Sequence, residues 1–107
     1  MNNKLVLGTA QFSEKYGVTN KKGITSKNEI IKILHYLKKK NIYDLDTSIE
    51  YNSVDKKIKF SKCNYWKIIT KVNPDRFKSC KNKDQIKNNL IKLINKSAKN
   101  IGVKKIE

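Results

Sequence analysis

Arginine is nearly absent from this sequence. Arg76 is the only one, against 24 lysines. Arginine forks onto phosphate and guanine, so a chain selected to read nucleic acid tends to raise it. Here Lys, Asn and Ile (24, 13 and 14) together make up 51 of the 107 residues, and all three have codons rich in A and T. The net charge of +16 therefore reads as composition, with no lysine run longer than Lys38 to Lys40. No specific nucleic-acid partner is expected, because dispersed basic charge gives weak, salt-sensitive binding.

Histidine and cysteine are equally sparse. His35 stands alone, and Cys63 and Cys80 form no CxxC pair, so no metal site is expected. Two unpatterned cysteines read as free thiols in a reducing cytoplasm. Long hydrophobic runs are missing too. The apolar stretch in "MNNKLVLGTAQF" is too short for a signal peptide, and nothing is long enough to cross a membrane. At 107 residues there is room for one small domain, residues 1–107, with one modest core.

What is present alternates. "KLVL", Lys4 to Leu7, is a short buried strand closed by Gly8, and a polar loop with Gly17 and Gly23 follows. Ser26 and Glu29 form a capping box ahead of Ile30, Ile31, Ile33, Leu34 and Leu37, which predicts a helix from about Lys27 to about Lys40. Ile42 to Asp46 is a second strand, Val54 to about Phe60 a short helix, and Trp66 to Val72 a third strand stopped by Pro74. A helix from near Asp84 to about Asn100 carries Ile86, Leu90, Leu93, Ile94 and Ala98, with Gly102 as terminator. "VKKIE" then heads toward a further strand. Alternating strands and helices predict an α/β fold with parallel strands joined by right-handed crossovers. Periodicity does not choose between a doubly wound sheet and a barrel.

In such folds functional residues gather at the carboxyl ends of strands. "LDTSIEYNSV" places Asp46 at the end of strand two and Tyr51 in the loop behind it, and Lys71 ends strand three. A phenol is a poor acid at neutral pH unless a nearby ammonium favours its phenolate, and a carboxylate would hold that ammonium in place. Asp, Tyr and Lys thus make a proton donor to a carbonyl oxygen. Each also has a plainer reading: Asp46 as a turn cap, Tyr51 as packing, and Lys71 as one lysine among many.

"LVLGTAQF", "YGVTNKKG", "LDT" with its following tyrosine, and "IITKVNP" together resemble the N-terminal third of an aldo-keto reductase, over nearly the whole chain. The resemblance implies a partial (β/α)8 TIM barrel and NADPH-dependent reduction of a small-molecule aldehyde or ketone. It assigns Asp46, Tyr51 and Lys71 to the catalytic set, with Tyr51 as proton donor. It places Gly8, Thr9 and Asp46 beside the nicotinamide. The family's histidine lies at the end of strand four, and His35 in the first helix does not replace it. Ser13 and Asn52 stand where the family carries glycine, and Lys59-Phe60 where it carries leucine-glycine. Such a barrel takes about 250 residues, so a piece of this length is expected to be inactive alone and to self-associate through exposed strand edges. A degenerate remnant without activity and a small basic nucleic-acid-binding α/β protein are the alternatives.

Overall fold

A computed structural model describes residues 5–13 and 23–107. The Lys4 start of the first expected strand and the loop around Gly17 lie outside the described residues. Three strands, β1 (Leu7–Gly8), β2 (Asp44–Asp46) and β3 (Lys67–Ile69), form an open parallel sheet in the order β1-β2-β3. Three helices follow them in turn: α1 (Lys27–Lys39), α2 (Val54–Lys59) and α3 (Lys83–Ile101). Short 3-10 turns occupy Ala10–Phe12 and Pro74–Phe77.

The helix ends form where the sequence signals them. Ser26 Oγ accepts from the Glu29 N–H at 3.2 Å and starts α1. At its far end Asn41 turns left-handed (φ 57°), Ile42 N–H reaches the Leu37 carbonyl, and Asn41 N–H reaches that of Lys38. That is a Schellman stop, with Ile42 and Leu37 both buried beside it. It feeds the chain directly into β2. Asn82 Oδ1 caps α3 by accepting from Gln85 N–H at 2.9 Å, and Gly102 ends α3 at φ 91°.

β2 and β3 alternate cleanly, whereas β1 has no buried residue and Leu5 and Val6 before it are exposed. Leu45 and Ile68 are fully buried and register-paired, and Trp66 lies on the same face at 3% exposure. With Ile30, Leu34, Val54, Ile58 and Ile101 they form the core, so the helices cover this face of the sheet. Asp44, Asp46, Lys67 and Ile69 point to the other face, which is open; Ile69 is half exposed. Sheet and helix residues thus share one core on one side, as the period-two pattern predicts.

Two features differ from expectation. The strands are shorter than their apolar runs, although the ladder continues past β3 through Thr47 N–H to Ile69 O (2.8 Å) and Ile49 N–H to Lys71 O (2.9 Å). The front of α3 is also less covered than its stripe implies. Ile86 is exposed and Leu90 half-buried, while Ala98 and Ile101 are buried, because only the last turns of α3 lie on the core. The outer edge of β3 is touched at one point, where Glu107 N–H donates to Ile68 O at 3.3 Å; "VKKIE" forms no strand.

Candidate functional site

Register brings the strand-end residues together. Gly8 pairs with Asp46, and Asp46 with Ile69; Lys71 lies two residues further along, on the same face. Thr9 fixes Asp46 from one side, donating both its backbone N–H (3.0 Å) and its hydroxyl (3.2 Å) to the Asp46 carbonyl. Ser48 fixes Lys71 from the other: its hydroxyl donates to the Lys71 carbonyl at 3.1 Å and accepts from Glu50 N–H at 3.1 Å. Both Thr9 and Ser48 are buried, so the backbone beneath the site is anchored from inside the protein.

On that frame the Lys71 ammonium and the Asp46 carboxylate form an ion pair. About half of each side chain is exposed, so the pair stands at the rim of the open sheet face. Asp46 does not cap the turn at Ser48, because its carboxylate is on Lys71. The opposite charges answer the polar character of this face, since unpaired charge at a strand end is costly to desolvate.

Tyr51 joins the pair differently from the sequence expectation. The Lys71 ammonium lies 5.9 Å from the centroid of the Tyr51 ring, at the edge of cation–π range. No hydrogen bond joins its hydroxyl to Lys71 among the described residues. The cause is the turn before it. Tyr51 N–H donates to Ser48 O at 3.0 Å, and the ring packs against the core while lining a cavity between α2 and α3. The three residues are neighbours, but Tyr51 presents its ring to the lysine.

Gly8 sits at the other end of the same row. Among the described residues, a Cβ placed there would meet nothing within 4 Å. Thr9 is fully buried with its hydroxyl engaged on Asp46, so its contribution is to position that residue. His35 is exposed on α1 and takes no part in the site.

Sequence reasoning missed Ser48 and the Arg76–Glu50 ion pair, which ties the loop after β2 to the turn after β3. Ser48 carried a local signal, a small hydroxyl just past a strand end. The Arg76–Glu50 pair spans 26 residues and has no local signal. Among the described residues no group of His, Cys, Asp and Glu could hold a metal ion, both cysteines are free, and no helix is long and apolar enough to cross a membrane.

Comparison with protein-family models, curated proteins and solved structures finds no match for this chain.

Proposed function

We propose that Asp46, Lys71 and Tyr51 belong to a carbonyl-reduction site of the aldo-keto reductase type, on the opening units of a (β/α)8 barrel. The observation that carries this reading is the Asp46–Lys71 ion pair on the open face of a parallel sheet, at the carboxyl ends of adjacent strands. Helices covering one face support a barrel over a doubly wound sheet, which covers both. The four motifs in matching order support the family.

NADPH is the cofactor in this reading, and it supplies a hydride to the carbonyl carbon. The residues present fit its nicotinamide end: Gly8 carries no side chain, has no described residue within 4 Å of where a Cβ would stand, and pairs with Asp46. Lys71, paired with Asp46, offers N–H donors to a carbonyl oxygen and stabilises the charge that develops there. Tyr51 is the proton donor in this reading, and its hydroxyl must turn from the present arrangement, with the ring toward Lys71, to reach that oxygen. Thr9 and Ser48 hold the strand ends that carry Asp46 and Lys71.

This set has three of the family's four catalytic residues, so the 107-residue protein is expected to show no steady NADPH oxidation with a simple aldehyde. Binding is the informative test. Amide shifts on adding NADPH should appear at Gly8, Asp46 and Lys71 in the wild type and weaken at those positions in Asp46→Asn. Absence of shifts at all three removes the proposal.

A further inference from the structure

A second feature lies on the opposite side of the molecule. Lys27, Ile31, Lys56, Lys59, Phe60, Lys62 and Asn100 line a groove of about 640 Å³ where α1, α2 and the end of α3 meet. Phe60 is 41% exposed, and the Lys27 ammonium lies 4.2 Å from its ring centroid. No acidic side chain lines the groove among the described residues. Two other cavities each carry one: Asp55 between α2 and α3, and Glu107 beside Lys71. Lys27, Lys56, Lys59 and Lys62 form no ion pair among the described residues, whereas Lys32, Lys71, Lys78 and Lys105 do. Most described lysines form no ion pair; what marks this groove is that four of them line it with no carboxylate among them, and one, Lys27, lies over the exposed Phe60 ring.

From this groove we infer a binding surface for single-stranded nucleic acid, read without sequence preference: a base stacks on Phe60 while Lys27, Lys56, Lys59 and Lys62 take the flanking phosphates. The charge complementarity is one-sided, and every base has a face that an aromatic ring accepts. Lys27 already sits on Phe60, and its long side chain can swing to a phosphate when a base arrives. A membrane surface fits less well. Among the described residues Phe60 is accompanied in the groove by one aliphatic side chain, Ile31, and the site is concave. Sequence alone gives no sign of the groove, because its lining comes from three separate stretches. Nothing in it depends on the strand-end site.

The test is fluorescence anisotropy of a labelled 15-mer of deoxythymidine with the 107-residue protein across a salt series. The expected log–log salt slope is about −2.8, from four phosphate contacts at ~0.7 each. Phe60→Ala should weaken binding by roughly tenfold. The triple variant K27Q/K59Q/K62Q should flatten the slope to about −0.7. A charge-matched control, K83Q/K87Q/K92Q on the exposed face of α3, should leave affinity within about twofold, since it changes net charge and not the groove. Amide shifts at Ile31 and Phe60 in the wild type read the site without any variant. The inference is overturned if the control triple weakens binding as much as the groove triple. It is overturned too if Phe60→Ala binds like wild type, or if deoxythymidine monophosphate or anionic phospholipid vesicles bind as tightly as the 15-mer.

Discussion

Thr9 donates two hydrogen bonds to one acceptor, the backbone carbonyl of Asp46, through its N–H at 3.0 Å and its hydroxyl at 3.2 Å. The double clamp joins β1 to the end of β2 and sets the height of the Asp46 side chain. Thr9→Val keeps the shape and the backbone bond and removes the hydroxyl. It should cost about 0.5–1.5 kcal/mol in chemical denaturation, the net worth of one hydrogen bond. A larger loss would mean that the hydroxyl holds more than this carbonyl.

The Asp46–Lys71 pair should contribute little to stability. Both side chains are about half exposed, and such pairs are worth roughly 0.2–1 kcal/mol. A double-mutant cycle with Asp46→Asn and Lys71→Met should give a coupling in that range, reduced in 1 M salt by screening. A coupling above ~2 kcal/mol would mark the pair as a structural element, because exposed pairs do not reach that value.

A buried relay runs behind β3. The Trp66 indole N–H donates to Ser61 Oγ at 2.8 Å, and the Ser61 hydroxyl donates to the Ile58 carbonyl at 2.7 Å. Ser61→Ala strands the indole N–H and should destabilise by about 1–3 kcal/mol. Adding Trp66→Phe removes the stranded donor, so the double variant should lose less than the sum of the two singles. Strict additivity would show that the relay is not formed.

Burial pushes the Asp55 carboxyl above its ordinary 3.8, against the opposing hydrogen bond from Ser97. Its folded value therefore exceeds its unfolded one. The stability it contributes is fully present below 3.8 and is lost as pH rises through the folded value. At neutral pH the ionised group opposes folding, so Asp55→Asn should raise Tm at pH 7, with the gap closing as pH falls toward 3.8. An Asp55→Asn protein that is less stable at pH 7 than at pH 4, each relative to wild type, contradicts the sign.

Much of the fold is legible in local chemistry. Ser26 with Glu29, and Gly102 after its stripe, mark helix ends through bonds made within a few residues. The alternation from Trp66 to Lys71 fixes which face of β3 meets the helices, and with it the meeting of Asp46 and Lys71. What is not legible depends on distant partners. The Tyr51 ring is turned by its packing against the core. The left-handed turn before α2 falls on Ser53 (φ 57°), while Asn52, where the resemblance expects glycine, is not left-handed. Ser13 is right-handed at φ −105° and needs no glycine. The Phe60 groove is built from stretches that only folding brings together.

NADPH carries phosphates and an adenine, so it has two places to go on this surface. A neutral probe separates them. Titration of the isotope-labelled protein with 1-methyl-1,4-dihydronicotinamide, followed by amide shifts, tests the strand-end site alone, because the probe has no phosphate for the lysines to hold. The account predicts saturable shifts at Gly8, Asp46 and Lys71, lost in Lys71→Met and unchanged in Phe60→Ala. Shifts confined to Phe60 and its neighbours, or none at the strand ends at any soluble concentration, would contradict it.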